Sequence, residues 1–576
     1  MHYMERYRQW LADDAIDEGT KEELRRIEHD TKEIEDRFYR VLEFGTGGLR
    51  GVIGAGSNRM NIYTIGVATQ GLANYIKKLG PEMSARGVAI AYDSRHFSLE
   101  FAEEAARVLN GNCIKVHLFD GIRTTPQLSF AVRYLSCAAG IVITASHNPS
   151  QYNGYKVYSS AGMQLGLEES DRVIDEVRSI HDFSQIRRMD REEAVKEGLF
   201  TYISRDVDHA YMDAVLSQCI HGDVIREVAE DFRVVYTPLH GTGKEPVMRA
   251  LEEVGFTQVS IVKEQADPDG DFPTVQYPNP EDQEAFRLAL ELAKEGDAHL
   301  VIATDPDCDR VGMTFKDKAG EYAFLNGNQT GALLTYYILS SLKERGKLPE
   351  NGALIKTIVT SELGARIAHS FGVSTFDTLT GFKFIGEVME RFYREGTYKF
   401  ILGFEESYGY LIGDHARDKD GVVASLMVAE MAAYYHHRGM TLDQVLDRIY
   451  REYGYYFEDL ISLTLEGKEG LERIQEIMTY FRETCPMTWQ GRRVARVEDY
   501  LIGKSYDGLG NVLGDIHLPK SNVLKFILED DSWFCIRPSG TEPKIKFYFS
   551  VIGGSMEEAR AKSQALSQEV VSKISE

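Results

Sequence analysis

The chain has 576 residues, of which 43% are apolar and 27% charged, and it carries a formal net charge of −24. That length exceeds a single hydrophobic core and, at roughly 150 residues per domain, predicts about four domains of a folded globular protein. The acidic balance excludes nucleic acid or an anionic membrane as the main partner, yet leaves room for a small anion held by a few convergent Arg and Lys residues.

The first segment, 1–42, reads as charged helix and is expected to be a solvated extension; Glu5, Arg6, Arg8, Asp13 and Asp14 leave no apolar signal region. Short apolar runs at 88–92, 114–118, 140–144, 232–236, 299–303, 353–359 and 398–402 predict buried strands, with amphipathic helices such as 280–294 and 331–345 between them. Buried strands alternating with helices make parallel sheets covered on both faces. The C-terminal region differs: strand-like runs at 494–499, 523–528, 532–536 and 545–551, then a closing helix over 556–574, predict a separate α+β domain. No run reaches the ~18 apolar residues of a membrane span. The cysteines, Cys113, Cys137, Cys219, Cys308, Cys485 and Cys535, have no metal-finger spacing and are expected to be buried free thiols in a reducing cytoplasm.

Four strand ends carry dense polar chemistry: TASHNP at 144–149, TPLHGTG at 237–243, TDPDCDR at 304–310 and GFEESYG at 403–409. Ligands of open α/β sheets sit beyond the carboxyl ends of the strands, so these ends are expected to share a cleft. Asp305, Asp307 and Asp309 alternate along an extended segment and can face one cation. A calcium EF-hand loop is excluded, because Arg310 and Lys316 stand where it needs Gly and Glu. Carboxylates without a nearby His or Cys favour a hard ion such as Mg2+. Ser146 lacks the G-x-S-x-G elbow of an acyl-transferring serine, and beside a hard metal it suits phosphoryl transfer. Taken alone, Ser146 reads equally as a hydroxyl capping a turn, and His147 as a structural histidine; Lys156 lies within reach of the same centre. Arg537, Ser539, Gly540 and Thr541 have the composition of a phosphate cradle, or of an ordinary Pro/Gly turn. The glycine-rich segment FGTGGLRG at 44–51, with Arg50 as its charge, is neither a P-loop nor a Rossmann fingerprint. Glu405, Glu406 and Ser407 can bond sugar hydroxyls, and His415, Arg417 and Lys419 follow closely enough to hold a phosphate; a charged surface loop is the alternative.

Together these segments resemble the α-D-phosphohexomutase superfamily, and within it the bacterial phosphoglucomutase/phosphomannomutase family, through nearly the whole chain. TASHNP resembles its phosphoserine loop, DPDCDR its metal loop, GFEESYG its sugar-recognition loop and Arg537–Thr541 its phosphate loop. The resemblance implies three consecutive α/β domains with mixed, mostly parallel sheets and a smaller α+β C-terminal domain around a central cleft, divided at 1–205, 206–325, 326–440 and 441–576. It further implies that Ser146 carries the phosphoryl group and ligates Mg2+ beside Asp305, Asp307 and Asp309. Lys156 and Arg50 are implied as an acid/base and charge-stabilising pair flanked by His147 and Arg310. Substrate contacts are implied at Arg310, Thr380, Gly381, Lys383, Glu405, Ser407, His415, Arg417 and Lys419. The activity implied is interconversion of glucose 1-phosphate and glucose 6-phosphate, with glucose 1,6-bisphosphate as primer and intermediate; Tyr408-Gly409 after the recognition serine favours glucose, while mannose and pentose phosphates stay open. The partners implied are small sugar phosphates, for a cytoplasmic monomer or weak homo-oligomer with neither nucleic acid nor membrane.

Overall fold

The computed structural model describes residues 2–45, 48–465, 467–484, 486–539 and 544–575. The fold divides into two compact units, Met1–Asn326 with Phe382–Thr441, and Gly327–Gly381 with Leu442–Glu576.

The first unit opens with helices Tyr3–Ala12, Glu18–Arg26 and Thr31–Phe38. Asp17 and Asp30 cap the second and third by accepting the N–H of Thr20 and Glu33. These helices are not a solvated extension. Tyr7, Trp10, Ile16, Leu24, Ile34 and Phe38 form a core of their own with Ala55 and Tyr63 from the following domain. The Trp10 ring lies 5.6 Å from Tyr63 and 5.6 Å from Phe183. Surface charge dominates the composition, but one apolar residue every three or four is enough for a helix to bury a face.

A six-stranded mixed sheet follows, in the order Gly48–Val52, Tyr152–Ser159, Ala139–Ile143, Val88–Tyr92, Val116–Leu118 and Phe200–Tyr202. Its last four strands run parallel and the Tyr152–Ser159 neighbours antiparallel. Both central strands are buried along their full length, since helices cover both faces. The second sheet, Tyr322–Phe324, Val311–Lys316, Leu300–Thr304, Val234–Thr237 and Val259–Ile261, is parallel over its last three strands and antiparallel at the other edge. The expected helix 280–294 is a 3-10 turn, Gln283–Phe286, leading into Arg287–Gly296. Strands Lys399–Glu405 and Gly409–Ile412 pair antiparallel. Helix Gly421–His437, buried from Gly421 to Tyr435, packs against helices Gly222–Val228 and Lys244–Val254.

In the second unit, Gly352–Thr357 pairs parallel with Ser374–Thr378. The C-terminal sheet runs antiparallel in the order Tyr455–Thr464, Lys544–Gly553, Trp533–Pro538, Leu524–Leu528, Arg492–Asp499, Lys504–Asp507, Val512–Asp515. Its core gathers Phe481, Trp489, Phe526, Phe534, Phe547 and Phe549. The described cysteines are all free, but Cys113 is exposed and Cys219 half-buried, contrary to the expectation of burial; Cys485 lies outside the described residues. Among the described residues no helix is long and apolar enough to cross a membrane.

Candidate active site

Strand Ala139–Ile143 delivers the chain to Ser146, whose φ of 53° is left-handed. A non-glycine residue held there costs about 1–3 kcal/mol unless its surroundings fix it. Here the Ser146 N–H donates to Thr144 Oγ1 at 2.8 Å. Strand Tyr152–Ser159 passes beside it, Lys156 opposite Val142. A Cβ at Gly154 would fall 2.4 Å from Thr144 O, so only glycine allows this approach.

Strand Leu300–Thr304 leads into the acidic loop. The carboxylates of Asp305, Asp307 and Asp309 are buried, with oxygens within 4.8 Å of one another. Ser146 Oγ donates to Asp305 Oδ2 at 2.7 Å and lies 3.2 Å from His147 Nδ1. Lys156 Nζ is 2.8 Å from Asp307 Oδ2 and 3.6 Å from Asp309 Oδ2, and Lys419 Nζ is 3.1 Å from Asp309 Oδ2. Thr125 Oγ1 donates to Asp307 Oδ2 at 2.8 Å. Asp307 Oδ1 and Asp309 Oδ1 are buried with no hydrogen-bond partner. Orphaned carboxylate oxygens are costly, and oxygen donors of this kind are what a hard divalent cation takes, so the set fits Mg2+.

The electrostatics agree. Burial raises the Asp305 carboxyl, and the charges of Asp307 and Asp309 raise it further. Burial would raise Asp307 too, but the Lys156 ammonium outweighs it and holds Asp307 below the carboxylate range. Lys156 is itself raised: burial works against its charge, and Asp307 and Asp309 prevail. Burial, then Arg310 and Arg50, drive His147 far below an ordinary imidazole and keep it neutral.

Within the first unit, the strand ends at 237–243 and 403–409 lie against the acidic loop. Thr242 donates its N–H and its Oγ1 to Pro306 O, each at 2.8 Å. Arg310 bridges to Gly409, and the Val311 N–H donates to Tyr408 O at 3.0 Å, setting the 405–409 loop beside the acidic one. Glu405 is buried there and Ser407 half-buried. Arg310 pairs with Glu281. Arg50 Nη1 donates to Asn148 Oδ1 at 3.4 Å. Lys383 opens helix Phe382–Glu395, where burial lowers its ammonium. His415 and Arg417 are drawn into packing contacts: His415 Nε2 lies 2.8 Å from Asp420 Oδ2, and Arg417 Nη1 donates to Asp414 O at 2.6 Å. In the second unit, Thr380 and Gly381 follow strand Ser374–Thr378, and Gly381 has a φ of 120°. Arg537 Nη1 donates to Tyr548 Oη at 3.4 Å, and the Ser539 N–H to Lys544 O at 2.7 Å. Gly540 and Thr541, like Thr46 and Gly47 of the 44–51 segment, lie outside the described residues.

Residues 41–183, 209–320 and 326–453 match, in order, the phosphoglucomutase/phosphomannomutase α/β/α domains I, II and III. The chain belongs to this family. It is 38% identical to a phosphoglucomutase of Staphylococcus saprophyticus over 537 residues, 93% of this chain and 95% of that one. It is 40% identical to a phosphoglucomutase of Staphylococcus aureus over 525 residues, 90% and 91% of the two chains. Among solved structures, pp63/parafusin, a phosphoglucomutase of Paramecium in its open form, superposes with a TM-score of 0.67 at 20% identity, covering 93% of this chain and 95% of that one, a likeness of fold.

Two participants in this phosphoglucomutase/phosphomannomutase site escaped the sequence reading. Thr125 carries no motif and reaches Asp307 only through the fold. Arg95 donates to the carbonyls of Ser146, Asn148, Pro149 and Tyr152. It had a signal: strand Val88–Tyr92 runs straight into Asp93-Ser94-Arg95, a fifth polar strand end of the kind that marked the other four.

Proposed function

We propose that this chain interconverts glucose 1-phosphate and glucose 6-phosphate through a phosphoserine at Ser146, with glucose 1,6-bisphosphate as primer and bound intermediate. One observation carries the reading: a serine hydroxyl 2.7 Å from one of three clustered, buried aspartates, two of which keep an unpartnered oxygen. Ser146, Asp305, Asp307 and Asp309 would hold Mg2+, which supplies positive charge against the transferring phosphoryl group.

The chain's own residues do the rest. A sugar hydroxyl attacks phosphorylated Ser146; the new P–O bond forms on the sugar as the bond to Ser146 Oγ breaks. The sugar hydroxyl loses a proton and Oγ gains one. Lys156, kept protonated by Asp307 and Asp309, gives its proton to Oγ and takes the sugar hydroxyl's proton in exchange, with neutral His147 beside Oγ and the Arg50 guanidinium as charge-stabilising partner. The second half reverses these steps with the other phosphate of the bisphosphate. Glu405 and Ser407 read sugar hydroxyls. Arg310, Lys383, Lys419, Thr380, Gly381, His415 and Arg417 complete the substrate set. Arg537, Ser539, Gly540 and Thr541 hold the phosphate that is not transferred. The domains assigned to these tasks are 1–205, 206–325, 326–440 and 441–576, in a cytoplasmic enzyme of sugar phosphates.

Ser146→Ala, assayed for glucose 6-phosphate formation from glucose 1-phosphate with Mg2+ and glucose 1,6-bisphosphate, should lose at least about 1,000-fold in turnover while keeping its circular dichroism. Substantial residual turnover rejects the covalent scheme, and release of free phosphate without glucose 6-phosphate makes the wild type a phosphatase. Parallel assays with mannose and ribose 1-phosphates rank the sugars.

A further inference from the structure

We infer that Arg95 is a positioning residue for phosphoryl transfer, holding the Ser146 loop in register with the acidic loop; this rests on Ser146 as the phosphoryl carrier. The Arg95 and Asp93 side chains are both fully buried, with Nε 3.4 Å from Asp93 Oδ2. Asp93 Oδ1 fixes the start of the segment, accepting the Arg95 N–H at 2.9 Å and the Ser98 hydroxyl at 2.7 Å. Nη1 donates to Pro149 O at 2.9 Å and Tyr152 O at 3.0 Å, while Nη2 donates to Ser146 O and Asn148 O. One guanidinium thereby spends four contacts on a single loop of seven residues, 146–152. A buried charge is tolerated only when so engaged. A lysine, with three donors on one point and no planar fork, cannot reproduce the arrangement.

What the clamp holds is a strained backbone, since Ser146 carries a φ of 53°. What holds the clamp is the neighbouring domain. The Phe272 ring lies 4.9 Å from the guanidinium carbon, and His96 Nε2 reaches Asp271 Oδ1 at 2.7 Å. A Cβ at Gly270 would meet His96 N at 2.8 Å, a measure of how closely the two segments are packed. Arg95 therefore joins the loop bearing Ser146 to the domain bearing Asp305, Asp307 and Asp309, and it acts on the reaction only through Ser146. Misplacing a reacting group by about 1 Å costs on the order of 100-fold in rate. Sugar binding uses other residues.

The experiment is steady-state mutase kinetics on full-length Arg95→Lys and Asp93→Asn, per folded molecule, with Mg2+ and glucose 1,6-bisphosphate. Arg95→Lys should lose roughly 30- to 300-fold in kcat, with KM for glucose 1-phosphate within about threefold. Arg95→Ala should recover part of that loss on addition of guanidinium at non-denaturing concentration. If Arg95→Lys does not fold, Asp93→Asn decides: a kcat loss of about tenfold at unchanged KM supports the inference, and wild-type kcat overturns it. Wild-type kcat in folded Arg95→Lys, or kcat and KM worsening in step, also overturns it. A wild type without mutase turnover, or without phosphate on Ser146 by intact mass, would instead overturn the functional reading.

Discussion

Replacing Lys156 with Met keeps most of the side chain's volume and removes one charge from a site holding three aspartates. Its ammonium stands 2.8 Å from Asp307 and 3.6 Å from Asp309. At an effective dielectric of about 20 these are gross attractions of roughly 6 and 5 kcal/mol. The net cost of deleting one partner of a buried pair is about 3–5 kcal/mol. Lys419, 3.1 Å from Asp309, stays as a partner and sets the loss near the lower end. At about 2–4 °C per kcal/mol for a domain of this size, the melting midpoint in EDTA should fall by about 6–12 °C. A divalent cation replaces the missing charge, so millimolar Mg2+ should recover much of that loss and raise the variant's midpoint more than the wild type's. Turnover should fall about 100- to 10,000-fold, the range for a removed general acid. Differential scanning fluorimetry with EDTA or Mg2+, beside the coupled mutase assay, reads both. An equal Mg2+ shift in the two proteins, with kcat within about twofold, would refute the idea that lysine and cation share these carboxylates.

Two further perturbations test the fold. Trp10→Ala removes the ring that packs on Phe38, Tyr63 and Phe183 and should cost about 3–5 kcal/mol; limited proteolysis should then release the N-terminal helices first, and wild-type resistance would mean they are not docked as described. Burial pushes the Glu458 carboxyl up to about 7, only partly offset by the Ser361 hydroxyl. Because its folded pKa exceeds the unfolded value of about 4.5, its stabilisation is complete below pH 4.5 and is lost as pH rises through about 7. Discounted for partial exposure, the loss is about 2 kcal/mol. Glu458→Gln should accordingly melt about 4–8 °C above wild type at pH 8 and close to it at pH 5; parallel pH profiles would reject the assignment.

The chemistry was legible where it followed a buried strand. The strands at 139–143 and 300–304 are buried throughout and almost wholly apolar, so their ends could be located and the residues just beyond them read as candidate site residues. The same reading extends to Asp93-Ser94-Arg95, which follows the buried strand Val88–Tyr92. The N-terminal helices were misread for a different reason: Trp10, Leu24, Ile34 and Phe38 stand far apart among charges, and a face spread over three short helices is visible only once they pack. The strands Tyr455–Thr464, Lys504–Asp507 and Val512–Asp515 were missed because they face solvent on one side or lie at a sheet edge, and alternating or polar residues there read as loop. His415 and Arg417 sit where a phosphate-binding sequence would place them; Asp420 and the 414 carbonyl engage one polar atom of each, while His415 Nδ1 and Arg417 Nε are buried without a hydrogen-bond partner. Spacing says which residues are near a site; burial and partners say which face it.

A protein with a net charge of −24 must still bind dianionic sugar phosphates, and the site shows how the charges are arranged for that. Arg310 is matched by Glu281, while Lys419 is shared between Asp309 at 3.1 Å and Asp418 at 3.3 Å. Asp418 counted with the acidic trio, four carboxylates face Lys156 and Lys419, two positive charges short, and two is the charge of a magnesium ion. Without the ion, the excess falls on Asp305, which burial and its two neighbours drive toward its protonated form. In the proposed scheme the ion would neutralise the carboxylates, and a phosphoryl group on Ser146, carrying about −1.5 to −2 charges, would meet Arg50 and Lys156 instead of bare carboxylates. On that scheme cation and phosphoserine would favour one another, each removing the buried charge that the other would leave uncompensated. Acidity over the rest of the surface does not oppose this, because charges more than about 8–10 Å away through water are largely screened at physiological salt, while those within the buried site are not.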